Sequence, residues 1–229
     1  IRRRAPREDF GTNPCSEIIL RSREFCNLSE CVIRRDDTRE HLKEKVRVAT
    51  ILGTFQSTLT EFKYLSREWK RNCEEERLLG VSLTGIMDNP LTNGSKKGLD
   101  KLLEELRDVA YETNKEWAEK LGIPPSAAIT CVKPSGTVSQ LVDSASGIHA
   151  RHNPFYIRTV RADNKDPLCN LMKEMGFPNE PDVTKPDHTT VFSFPMKSPK
   201  DAVFRMDMTA LEQLELWKTY ATSWCEHKP

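Results

Sequence analysis

Asn13, Cys15 and Glu17 stand two residues apart in Gly11-Thr12-Asn13-Pro14-Cys15-Ser16-Glu17, and a second thiol follows in Phe25-Cys26-Asn27-Leu28-Ser29-Glu30. An extended backbone points alternate side chains the same way, so the spacing predicts an amide, a thiol and a carboxylate on one face. The thiol can give up a proton or a hydrogen atom, the carboxylate can take a proton, and the amide can hold a hydroxyl. Cys26 is near enough along the chain to be turned back toward the same space, which adds electron exchange to proton exchange.

Two other readings of these residues stay open at this point. Cys15 can be a buried packing thiol, the usual fate of an unpaired cysteine, although Asn13 and Glu17 are costly companions for it on a buried face. Cys15, Cys26 and Cys31 can also be the ligands of a non-catalytic zinc module, but their spacing is loose and no paired histidines stand near them. His149 and His152 form an H-x-x-H pair that reads as a substrate-loop or surface feature rather than a metal site. Cys73, Cys131, Cys169 and Cys225 have no polar constellation around them and read as packing residues.

A second stretch has chemistry of its own. Ala127 to Val132 reads as a short buried strand that runs into Lys133-Pro134-Ser135-Gly136-Thr137-Val138-Ser139-Gln140. A strand, a small hydroxyl-rich turn and a helix start together make an anion site, because free N–H groups converge at the positive end of the helix dipole. The loop lacks the Walker spacing, and by itself it fits a phosphate site and an ordinary capped turn equally well.

The elements that must hold these stretches follow from periodicity. Cys31 to Ile33 reads as a short strand, and Asp37 with Glu40 as a capping box for a helix over 38–64 with one apolar stripe from Leu42 to Phe62. Arg77 to Gly85 reads as a buried strand, 97–121 as a helix ended by Gly122 and Pro124, and Phe155 to Arg161 as a strand. A short helix over 166–175, a proline-marked surface loop, a strand over 189–194 and a last helix capped by Thr209 and Glu212 complete the order. That last helix is expected to turn Leu211, Leu214, Trp217, Tyr220, Ala221 and Trp224 inward. Strands separated by helices of this length imply parallel pairing in an α/β sheet or barrel.

Composition narrows the classes of function. A net charge of +1 over 229 residues gives no reason to expect nucleic acid or a membrane as partner. The basic opening from Arg2 to Arg7 reads as a solvated connection. With no apolar run of membrane-spanning or signal-peptide length, a cytoplasmic location is expected. Seven cysteines without a CxxC pair argue against a disulfide framework. The absence of an initiating Met suggests a piece of a longer chain.

Asn13-Pro14-Cys15-Ser16-Glu17-Ile18, Phe25-Cys26-Asn27-Leu28, Lys133-Pro134-Ser135-Gly136-Thr137-Val138-Ser139, Ser146-Gly147-Ile148-His149 and Tyr156-Ile157-Arg158 together resemble, in order, the catalytic half of a ribonucleotide reductase. The likeness is strongest to the monomeric, adenosylcobalamin-dependent class II ribonucleoside-triphosphate reductases, which share the short interval from Cys15 to Cys26. A class I ribonucleoside-diphosphate reductase large subunit is the nearest alternative.

The resemblance implies that residues 1–229 are part of a ten-stranded α/β barrel with a central catalytic finger loop. It implies that Cys15 becomes a thiyl radical, that Glu17 is the base on the 3′-hydroxyl, and that Asn13 holds the substrate hydroxyls. Cys26 is implied to be one of two reducing thiols, and Ser135, Gly136, Thr137 and Val138 to bind the substrate phosphates. The implied activity is thioredoxin-dependent reduction of ribonucleoside triphosphates for DNA precursor synthesis, with adenosylcobalamin as cofactor and a deoxynucleotide as effector. No metal ligands are implied within the chain. The second reducing thiol, the allosteric region and a C-terminal cysteine pair are expected outside these 229 residues, so the isolated chain is expected to be inactive.

Overall fold

The residues around Cys15 form a hairpin. β1 (Phe10–Thr12) pairs antiparallel with β2 (Ile19–Arg21), Thr12 opposite Ile19, so Asn13 to Ile18 make the tip. The computed structural model describes residues 9–227, and the basic opening from Arg2 to Arg7 lies outside them. The chain divides into two compact units, Ile1–Arg151 with Lys200–Pro229, and His152–Pro199.

In the first unit the hairpin leads into β3 (Asn27–Val32), α1 (Arg39–Gln56), α2 (Arg67–Glu76) and β4 (Leu79–Thr84). A 3₁₀ turn at Ile86–Asp88 precedes α3 (Leu99–Leu121), β5 (Thr130–Cys131) and α4 (Gly136–Leu141). β3, β4 and β5 form a parallel sheet in that order, as expected for strands joined by helical crossovers.

β4 shows why this sequence builds a two-faced strand. Its odd positions Leu79, Val81 and Leu83 join Leu42 and Val46 of α1 and Leu102, Leu103 and Leu106 of α3 in one apolar core. Each such buried leucine or valine contributes about 1.5–3 kcal/mol. Its even positions Gly80, Ser82 and Thr84 are small or hydroxyl-bearing and face the other way.

The helices depart from the expected spans in instructive ways. α1 stops at Gln56, where the Ser57 N–H closes onto Gly53 O and Phe55 O, rather than running to 64. Leu52, Phe55 and Leu59 are exposed rather than part of the buried stripe. Phe62 instead lies edge-on to Phe25, at 5.2 Å between ring centroids. The N-cap is Thr38, in a box with His41. Asp37 accepts from Arg34 N and Lys45 Nζ instead of pairing with Glu40. α2 was hidden from an apolar pattern because its ten residues are almost all charged or polar.

The second unit carries β6 (Phe155–Asp163), α5 (Pro167–Glu174), β7 (Asn179–Pro181) and β8 (Thr189–Lys197). Its sheet order is β6-β8-β7 and every pair is antiparallel, so the expectation of parallel pairing fails here despite the intervening helix. β7 forms within the proline-marked stretch read as a loop. Asp182, just after it, turns the chain by accepting from Thr184 N at 2.9 Å and Lys185 N at 3.2 Å.

α6 (Ala210–Ser223) closes the first unit, with Thr209 and Glu212 forming the expected capping box. Its buried side is Leu216, Tyr220 and Ser223, followed by Trp224, whereas Leu211, Leu214 and Trp217 are exposed. The inward face is therefore rotated from the predicted one. Tyr220 fixes it, its hydroxyl donating to Thr92 O at 2.8 Å.

Candidate active site

The hairpin tip is a β-turn, not the extended segment that the alternating spacing suggested. Ser16 N donates to Asn13 O at 2.9 Å, which places Pro14 at the position where its fixed φ is favourable, and Ser16 follows in the left-handed region at φ 60°. Asn13 and Glu17 meet because the chain turns between them. The Asn13 amide spans the turn, accepting from Ile18 N at 3.0 Å and donating to Glu17 Oε1 at 2.6 Å. Cys15 is left exposed at the tip.

Glu17 is buried, and the same Oε1 accepts a second hydrogen bond, from Lys133 Nζ at 2.8 Å. Burial pushes the carboxyl up, but the bond from Lys133, the local backbone bond, the Asn13 bond and the lysine charge outweigh it, and the group is held below its ordinary range. Lys133 is raised in turn, chiefly by its hydrogen bond to Glu17. The other carboxylate oxygen, Oε2, is buried and has no hydrogen-bond partner among the described residues. Lys133 was read in the sequence only as the start of the anion loop.

The loop after β5 is fastened to the small face of β4. Lys133 N donates to Ser82 Oγ and Gly147 N to Thr84 Oγ1, both at 2.8 Å. Ser135 N donates to Ser146 Oγ at 3.1 Å, and Ser146 Oγ donates back to Ser135 O at 3.0 Å. Gly147 has φ +53°, and a Cβ there would lie 2.6 Å from Lys133 O, so only glycine lets the two arms of the loop touch. Ser135 caps α4 with its backbone, and its own Oγ is buried with no partner among the described residues. Gly136, Thr137 and Val138, in the first turn of α4, are exposed.

Cys15, Glu17, Lys133, His149, Tyr220 and Cys225 line one cavity of about 320 Å³ together with His227. The expected thiol, carboxylate and loop base are therefore brought together, while Ser135 to Val138 lie beyond the cavity lining. The far wall is the end of α6, strapped onto the sheet. Trp224 Nε1 donates to Cys131 O at 2.7 Å, Ile129 N donates to Glu226 Oε2 at 2.8 Å, and His227 Nε2 is 2.8 Å from Leu79 O.

Two cysteines read as packing residues prove to belong to this neighbourhood. Cys225 lines the cavity. Cys131 is fully buried, and its thiol is pushed well up by burial, with added repulsion from Cys26, Cys225 and Glu17. Cys26, at the foot of β3, is half-buried beside Gly80, where a Cβ would come within 3.1 Å of its sulfur and 2.4 Å of Leu28. Among the described residues, no three His, Cys, Asp or Glu side chains are grouped to hold a metal ion, so Cys15, Cys26 and Cys31 do not form the zinc module.

No family model matches the chain. Comparison of folds gives a TM-score of 0.81 to the crystal structure of a B12-dependent (class II) ribonucleotide reductase, at 25% identity, covering 95% of this chain and 34% of that one. The described fold is thus that of a part of a class II ribonucleotide reductase barrel. Among sequences, the adenosylcobalamin-dependent ribonucleoside-triphosphate reductase of Euglena gracilis is 30% identical over 219 residues, covering 96% of this chain and 30% of the relative. The enzymes of the same name from Lactobacillus acidophilus and Lactobacillus leichmannii are 30% and 27% identical, each over 82% of this chain and 28% of the relative. The chain is homologous, along nearly all its length, to a segment of the adenosylcobalamin-dependent ribonucleoside-triphosphate reductases, and it spans about 30% of their length.

Proposed function

We propose that this chain supplies the radical-bearing finger and the substrate-phosphate loop of an adenosylcobalamin-dependent ribonucleoside-triphosphate reductase. The observation that carries the reading is the hairpin tip. It presents Cys15 to a cavity in which Glu17 is ionised, buried and left with one unpartnered oxygen.

In this reading a Cys15 sulfur radical takes the hydrogen atom from C3′ of the ribose, and Glu17 takes the proton of the 3′-hydroxyl. The 2′-hydroxyl then leaves as water on taking a proton from one of the two reducing thiols, and Cys15 returns its hydrogen atom to C3′ at the end of the cycle. Cys26 and a second thiol from outside these residues give two electrons and end as a disulfide, which thioredoxin reduces. Asn13, whose amide already braces the turn, holds the substrate hydroxyls with its remaining hydrogen-bonding capacity. The N–H groups of Gly136, Thr137 and Val138, exposed residues in the first turn of α4, bind the phosphates together with the Ser135 hydroxyl. A deoxynucleotide effector acts on a part of the protein outside this chain.

The residues fit the cofactor on one count, since Cys15 is exposed and its sulfur can be reached by a hydrogen-atom acceptor from outside the hairpin. When bound, adenosylcobalamin supplies the radical chemistry that no side chain can. The protein's part is to aim the thiol, keep the carboxylate ionised beside it and shield the cavity from water. Among the described residues no helix is long and apolar enough to cross a membrane.

The test is Cys15→Ser in the protein expressed from its natural reading frame, assayed for deoxyribonucleoside triphosphate with thioredoxin and adenosylcobalamin. Product formation is expected to vanish, and turnover near that of the unaltered protein would overturn the reading.

A further inference from the structure

We propose that Lys133 is a positioning residue for Glu17: it occupies one carboxylate oxygen, Oε1, and thereby leaves Oε2 as the oxygen that meets the substrate hydroxyl. The inference rests on the reductase reading for its substrate and on the structure for its geometry.

Three observations carry it. Oε1 is doubly occupied, by Lys133 Nζ at 2.8 Å and Asn13 Nδ2 at 2.6 Å. Oε2 is buried with no partner among the described residues, although Glu17 lines the cavity. A buried carboxylate oxygen without a hydrogen bond is costly, and a ligand hydroxyl relieves that cost. Finally, Lys133 is itself anchored, its N–H on Ser82 Oγ and its carbonyl against Gly147. The lysine tail is thus aimed from a fixed base on β4, across 116 positions of sequence, onto the finger.

The arrangement separates the two jobs a base must do in a closed site. It must be charged before substrate arrives, and it must not spend its acceptor capacity on being charged. Lys133 and Asn13 do the first on Oε1, and the pairing leaves Oε2 for the second. The same ion pair joins the loop that opens at Lys133 to the finger, through Oε1 alone.

Other titratable groups face this pair. Cys15, His149, Cys225 and His227 line the cavity, and Cys131 interacts with Glu17 from β5. The test must therefore read Glu17 itself. Carbon-13 NMR of glutamate-labelled protein, with Glu17→Gln to assign the signal, reports the carboxyl titration in the natural protein without reference to activity. In Lys133→Met the titration is expected to move up, because burial is then opposed only by the Asn13 and backbone bonds; Lys133→Arg is expected to restore it. In assays of nucleotide reduction the kcat/KM of Lys133→Met is expected to fall about tenfold per pH unit below the shifted titration and to recover at higher pH.

A Glu17 signal unmoved in Lys133→Met overturns the proposal, as does a uniform loss of activity at every pH. If the unaltered protein makes no deoxynucleotide, the reductase reading fails, while the carboxyl titration still decides whether Lys133 governs Glu17. Thermal unfolding of both lysine variants separates either result from simple misfolding.

Discussion

The Arg151 guanidinium forks onto the carboxylate of Asp88, Nε to Oδ1 at 2.8 Å and Nη2 to Oδ2 at 2.9 Å, and both side chains are almost fully buried. Asp88 also accepts from Ala145 N at 2.8 Å, and Arg151 reaches Asp143. The pair therefore pins the loop between α4 and Arg151, the one that carries Ser146, Gly147 and His149, to the 3₁₀ turn that follows β4. Burial alone would lower the Arg151 pKa, but its bonds to the two aspartates raise it.

Arg151→Met is expected to lower stability by about 3–5 kcal/mol, because it leaves Asp88 charged and buried. Urea unfolding followed by circular dichroism measures the loss. Pairing it with Asp88→Leu is expected to recover most of that loss, since neither charge then remains.

Gly80→Ala tests the close approach of β4 to the finger and to β3. The added methyl meets Leu28, the Cys26 sulfur and Ile18. A cost of about 1–3 kcal/mol is expected from overpacking. The same urea midpoint checks it, with Gly136→Ala, where a Cβ meets nothing, as the control.

Thiol chemistry should separate the cysteines by place. Cys15 is exposed, whereas burial pushes Cys31 up to about 12 and Cys131 well above its ordinary value. Brief alkylation of the native protein at neutral pH, read by peptide mass spectrometry, is expected to modify Cys15 and to leave Cys31 and Cys131 untouched until denaturant is added.

Acid should unfold the protein partly through Glu17. Its folded value lies below the ordinary 4.5, so its contribution to stability is fully present above 4.5 and is lost as pH falls through the folded value. Stability measured by urea unfolding is therefore expected to drop more steeply below pH 4.5 in the unaltered protein than in Glu17→Gln.

Much of this was legible from residue types and spacing, and the limits have physical causes. The thiol, amide and carboxylate of the finger announced themselves, but a spacing of two cannot tell a strand face from a turn, and here Pro14 and Ser16 decided for the turn. Lys133 gave no signal, because its partner lies 116 positions away. Ser82 and Thr84 did leave one: the alternation of large and small residues in Leu79-Gly80-Val81-Ser82-Leu83-Thr84 marks a strand with one face reserved for something other than core. Leu211, Leu214 and Trp217 misled in the opposite sense, since apolar periodicity reports a face that can be buried without saying which neighbour is present to cover it.

The strap from Trp224 to His227 has a consequence for how the molecule comes to exist. Its contacts reach Cys131 and Leu79, the latter 148 positions back. On a ribosome the finger is made before this wall, so the cavity that Cys15 lines gains its far side only once the chain has been read through to His227.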